Sequence, residues 1–177
     1  KLKFIFMGTT ITSAKPRPLF LLIFLGCASL LSAAIFISPF KDMNPCPMCM
    51  MQRAVFIALG ALAIIATLHN PEYIGQKIYA IFLTLISISG ASIAIRQLWL
   101  QSLPEDQVPA CGPGIDYMID VFPLLEVIEM SLRGTGDCAK VQWSLFSLSI
   151  PAWSLLAFSS MALLALFILL RKRREQV

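Results

Sequence analysis

This chain has little charge. Of 177 residues, 14 are Lys or Arg, 10 are Asp or Glu and one is His, while 58% are hydrophobic. That balance excludes a soluble domain with a large core and fits a chain that lives in a bilayer. No basic surface suited to nucleic acid is present either, because the positive residues gather beside apolar runs: Lys1, Lys3, Lys15 and Arg17 before the first, Arg171, Lys172, Arg173 and Arg174 after the last. Haem and flavin motifs are missing, as are internal repeats and low-complexity tracts. No Ala-x-Ala site follows the first apolar run, which is also longer than a signal-peptide core, so it reads as a retained span.

What is present is a set of four apolar runs, at about 19–38, 47–68, 78–99 and 151–170. Each is long enough to cross a membrane as a helix. Both basic clusters belong on the cytoplasmic side, which requires an even number of spans. The expected fold is therefore all-α: a single integral membrane domain, a four-helix bundle with outer loops at 39–46 and 100–150. The second of these loops carries seven acidic residues against two basic ones, as suits a translocated segment. Within it Ile115, Met118, Ile119, Phe122, Leu125 and Ile128 recur at helical spacing, predicting an amphipathic surface helix bent near Pro123.

Five cysteines complete the inventory. Cys27 lies inside the first run and reads as a small buried hydrophobe. Cys46, Cys49, Cys111 and Cys138 fall in or beside the outer segments, which points to an oxidising compartment. Cys46 and Cys49 form a Cys-x-x-Cys pair at the mouth of the second span, with Pro47 placed for the first helical position and Arg53 on the same face. Residues three apart on a helix have Cβ atoms roughly 5 to 6 Å apart, so the pair can close into a disulfide with modest adjustment. The helix dipole and the Arg53 guanidinium both favour a thiolate there.

Two dithiols facing one compartment make an electron relay. Structural disulfides lie below about −300 mV and the strongest dithiol oxidant of the bacterial periplasm near −120 mV; that gap of about 180 mV is roughly 8 kcal/mol, so thiols alone cannot close the cycle. A lipid-soluble sink is needed, and a quinone is the candidate.

Pro45-Cys46-Pro47-Met48-Cys49-Met50-Met51-Gln52-Arg53, Cys111-Gly112-Pro113-Gly114, and Gly136-Asp137-Cys138-Ala139 followed by Trp143 resemble the DsbB family of disulfide bond formation proteins. The resemblance implies a bacterial inner-membrane enzyme with both termini cytoplasmic and its cysteine loops periplasmic. Such an enzyme reoxidises the thioredoxin-like protein DsbA and passes electrons to ubiquinone or menaquinone. It further implies that Cys111 meets DsbA with Cys138 as its loop partner, and that Cys46 exchanges with the loop pair through Cys138. Cys49 would then engage the quinone and Arg53 hold its oxygen. One branch of the family has a quinone-assisting histidine near the outer end of the third span. Here Arg96-Gln97 occupies that region, and the sole histidine, His69, belongs to the other side.

Two metal readings compete with the redox one, which itself takes no metal. Thiolate and thioether ligands suit copper(I), so Cys46, Cys49 and Met51 also fit a copper-binding or copper-transport protein. A zinc site from all four outer cysteines lacks the close paired spacing usual in the second pair.

Overall fold

Residues 16–40, 46–112, 115–141, 144–145 and 147–171 are described by the computed structural model. Lys1, Lys3, Lys15, most of the first outer loop, Pro113, Gly114, Trp143 and the tail from Lys172 lie outside the described residues. The four apolar runs form four long helices: α1 (Arg17–Phe40), α2 (Pro47–His69), α3 (Tyr73–Gln101) and α7 (Ile150–Leu170). All four are long and apolar enough to span a membrane.

Local chemistry sets the helix ends. Asn70 adopts the left-handed conformation, with φ 44°, and its N–H bonds to the Ala66 carbonyl, closing α2 before Pro71. The next helix then starts at Tyr73. The expected third span, 78–99, marks only the apolar centre of the 29-residue α3. Hydropathy reports the part that faces lipid, whereas backbone hydrogen bonding continues through Gln76 and Lys77 at one end and Arg96 to Gln101 at the other.

α3 packs along α7 and α2, and α1 along α2. The buried seam contains Phe20, Ile23, Leu59, Leu83 and Ile168, with Ala63, Ala66, Ala80 and Ala165 letting backbones approach closely. Outward-facing side chains such as Leu22, Phe36, Ile57, Phe82, Leu85 and Leu163 are exposed and apolar, as lipid contact requires. Phe56 and Phe158 stack at a centroid separation of 4.0 Å. A Cβ on Gly90 would lie 2.5 Å from the fully buried Phe158 ring. Gly90→Ala is therefore expected to cost about 1 to 3 kcal/mol through overpacking, read as a lowered thermal midpoint in detergent. An unchanged midpoint would mean the ring is free to move.

Cys27 is 1% exposed, and its thiol donates to the Met161 thioether 3.6 Å away. At one end of the bundle Arg17 Nε donates to the Thr67 carbonyl and Lys77 Nζ to the Arg171 carbonyl. The start of α2, the end of α3 and the start of α7 meet at the other end, around a cleft.

The chain between α3 and α7 folds into short pieces over that second end. They are a 3-10 turn (Glu105–Gln107), α4 (Ile115–Val121), α5 (Leu124–Arg133), α6 (Gly136–Ala139) and a two-residue antiparallel pairing of β1 (Ser144–Leu145) with β2 (Leu148–Ser149). Pro123 separates α4 from α5, at the predicted bend. Met118 is buried, but Ile119 and Leu125 of the same expected stripe are exposed. α5 turns Val127 and Ser131 inward and leaves Leu124, Leu125 and Leu132 outside, a second apolar face on the loop surface.

Candidate active site

Cys46 is the N-cap of α2, with extended backbone (φ −66°, ψ 160°), and its sulfur accepts the Cys49 N–H at 3.4 Å. Pro47 follows at the first helical turn, where its lack of an N–H costs nothing. This cap brings the Cys46 and Cys49 sulfurs to 2.9 Å. None of the five cysteines is in a disulfide.

A third sulfur joins them. Cys138, fully buried in α6, packs in the same buried cluster as Cys46. The bundle end is packed to hold it there, with Cys46, Met48, Ile93, Leu100 and Cys138 forming one apolar cluster. Gly134 turns the chain from α5 into α6 with φ +83°, and a Cβ there would run into Leu100. Only glycine meets both demands. Thr135 Oγ1 lies 3.7 Å from the Cys138 sulfur.

Electrostatics separate these sulfurs. Hydrogen bonding from Cys46 holds the Cys138 thiol down at about 6 against its ordinary 9.0; backbone hydrogen bonds from Thr135 and Met48 add to this and burial opposes it. Cys46 is pushed up, first because it gives its hydrogen bond to Cys138, then by Cys49 and by burial. In the reduced protein Cys138 is thus the thiolate of that pair. Alkylation of Cys138 is expected to follow a titration near pH 6, moving upward in Cys46→Ala as the main donor is lost; an unmoved midpoint would show that Cys46 does not set it. The linked sign is fixed. Between about pH 6 and 9 the folded state carries fewer protons on Cys138 than the unfolded state, so its contribution to reduced-state stability is full above the ordinary value and lost as pH falls through 6.

Cys111 stands apart from the three sulfurs and is exposed. Its segment lies against α6: Gly136 N–H bonds to the Ala110 carbonyl at 3.2 Å, and a Gly136 Cβ would lie 3.2 Å from the Cys111 sulfur. Lys140 Nζ lies 4.0 Å from that sulfur and 3.7 Å from Asp137. The exposed thiol therefore lies beside Gly136, two residues before the buried Cys138, although the two cysteines are 27 positions apart in the chain.

Arg53 sits a turn beyond Cys49 and reaches the Ala34 carbonyl of α1 at 3.4 Å and the Met50 sulfur at 4.0 Å. Arg96 is taken up at the helix end, stacked on Trp99 at 4.3 Å and bonded to the Arg133 carbonyl. The side chain that reaches the sulfurs from α3 is instead Gln97, whose amide nitrogen lies 3.4 Å from Cys46 and 3.2 Å from Cys49. Gln52 of α2 donates to its other end at 2.8 Å. Sequence reasoning noted Gln97 only as the occupant of a region and gave Gln52 no role. The available signal was two polar side chains within apolar runs, where such residues mark function.

A small cleft, of about 20 Å³, is lined by Cys46, Cys49, Gln97, Gln101, Asp137, Lys140, Ile150 and Pro151. The space holds little more than a water, but it sets thiols, amide donors and apolar walls side by side. Among the described residues no three His, Cys, Asp or Glu side chains are arranged to hold a metal ion.

The family described as Disulfide bond formation protein DsbB matches residues 16–168 of the chain. Disulfide bond formation protein B of Hahella chejuensis is 47% identical over 158 residues, covering 89% of this chain and 96% of the relative. The protein of that name from Marinobacter nauticus is 46% identical, covering 88% and 93%. Disulfide bond formation protein B 1 of Pseudomonas aeruginosa is 45% identical over 82% and 89%.

Proposed function

We propose a function from one premise: the chain belongs to the DsbB family of disulfide bond formation proteins, membrane proteins of disulfide oxidation. Our reading is that this one reoxidises a DsbA-like, thioredoxin-fold dithiol protein in the periplasm and delivers the electrons to ubiquinone or menaquinone. It would sit in the bacterial inner membrane with both termini cytoplasmic. The placement of Arg17, Lys77 and Arg171 at the bundle end opposite the sulfurs supports that orientation.

The observation that carries the reading is the contact between Cys138 and Cys46 beside Cys49, with Cys111 left exposed. In the oxidised enzyme the partner's thiolate attacks Cys111, breaking the Cys111–Cys138 bond and releasing Cys138 as thiolate. The partner's second thiol then resolves the mixed disulfide and leaves oxidised, returning Cys111 as a thiolate. Cys138 attacks Cys46 of the Cys46–Cys49 disulfide, with Cys49 leaving, and Cys111 next attacks Cys138, freeing Cys46. The loop disulfide is restored and two electrons rest on Cys46 and Cys49. The low-lying Cys138 thiol suits both halves of this exchange, as leaving group and as nucleophile.

A quinone, when bound, supplies the sink that takes two electrons and two protons. Cys49 and Gln97, side by side on a small cleft that would have to widen, are the residues we assign to its head, and Arg53, one turn deeper on α2, is our candidate for charge stabilisation at its oxygen. The test mixes the detergent-solubilised protein with a reduced thioredoxin-fold protein and a quinone analogue, and separately titrates the reduced protein with copper(I). Catalytic partner oxidation that tracks quinone reduction one for one supports the reading. Stoichiometric copper uptake without thiol oxidation would replace it with copper binding by Cys46, Cys49 and Met51.

A further inference from the structure

We propose that Gln97, held in place by Gln52, sets the reduction potential of the Cys46–Cys49 pair. Gln97 acts on the reacting sulfurs, and Gln52 is its positioning residue. The inference rests on the redox reading of this pair.

A primary amide has a donor end and an acceptor end, and its neighbours decide which way it points. The Gln97 oxygen accepts from Gln52 Nε2 at 2.8 Å, which turns its nitrogen toward Cys49 at 3.2 Å and Cys46 at 3.4 Å. Both glutamines are almost fully buried, at 2% and 3% exposure. Buried in a membrane-spanning bundle, neither amide can turn to water, so a reversal of Gln97 alone would break its bond with Gln52.

The consequence is a difference between two oxidation states. A thiolate is a strong, charge-assisted acceptor for that N–H, whereas a disulfide sulfur is a weak one. The fixed donor therefore stabilises the reduced pair more than the oxidised pair and makes the disulfide easier to reduce. A contact that served only to join α2 to α3 would stabilise both states alike.

The test is an equilibrium measurement on the full chain carrying Cys111→Ser and Cys138→Ser, so that only one pair exchanges. In glutathione and dithiothreitol buffers the reaction is Cys46–Cys49 disulfide plus two reductant thiols giving two protein thiols plus the reductant's disulfide. Acid quenching, alkylation and mass spectrometry give the ratio. Gln97→Met is expected to shift the constant about tenfold toward the protein disulfide, equivalent to about 30 mV. Gln52→Met, although its amide bonds to Gln97 rather than to sulfur, is expected to shift it in the same direction by less. The double variant should match Gln97→Met alone, since the two act in series. If Gln97→Met fails to fold, the isosteric Gln97→Glu, which replaces the donor by an acceptor, gives the same sign.

A lowered thermal midpoint with an unchanged equilibrium constant would make the amide pair structural and overturn the proposal while leaving the redox function intact. If the parent pair forms no disulfide across the whole buffer range, both this inference and the proposed function fall.

Discussion

Cys49→Ser is expected to end catalytic turnover while leaving one reaction possible. With Cys111 and Cys138 oxidised, the variant should still convert about one equivalent of a reduced thioredoxin-fold partner, because that exchange needs only the loop pair. Continued oxidation coupled to a quinone analogue should fall by about a thousandfold or more, the order seen when a nucleophile is removed from machinery acting as a unit. The structural reason is position. Cys49 lines the cleft beside Gln97 and Gln101, and its sulfur is 2.9 Å from Cys46, the sulfur that meets the loop. A stopped-flow burst without a steady phase is the expected record. A steady phase at parent rate would remove Cys49 from the electron path.

Cys138→Ser should separate the two halves of the protein. Cys138 is buried in one cluster with Cys46, whereas Cys111 is exposed, so the variant breaks the link between the exposed thiol and the cleft. Oxidation of a protein dithiol should again fall about a thousandfold, yet quinone reduction driven by dithiothreitol acting on Cys46–Cys49 should stay within a few-fold of the parent. Loss of both activities would point to collapse of the bundle end. Retention of both would mean that a protein partner reaches Cys46 directly. Gly134→Val makes a useful companion, because it removes no cysteine while its side chain would clash with Leu100 and displace α6, and Cys138 with it.

Much of this architecture was readable from residue order. The spans announced themselves because a bilayer demands about twenty apolar residues and the chain has four such runs. Cys46, Pro47 and Cys49 foretold their own cap, since a proline one residue after a capping position leaves few options. The bend at Pro123 was equally plain. Other features were hidden for physical reasons. The extra turns of α3 lie where polar side chains meet the membrane surface, so no apolar signal marks them. The meeting of Cys138 with Cys46 depends on Gly134 and on a cluster of Met48, Leu100 and Ile93, residues scattered over the chain without a shared period. Gln52 and Gln97 are separated by 45 residues, and nothing but packing tells that one orients the other.

A catalyst that trades sulfur bonds is endangered by any spare thiol of its own, since one stray attack would lock the machine in a dead-end crosslink. Cys27 is that spare. It is sealed between helices against the Met161 thioether, which can receive a hydrogen bond but cannot form a disulfide. Quarantine by burial thus lets an odd fifth cysteine persist, and any substitution that pries α1 from the bundle should first show itself as scrambled crosslinks.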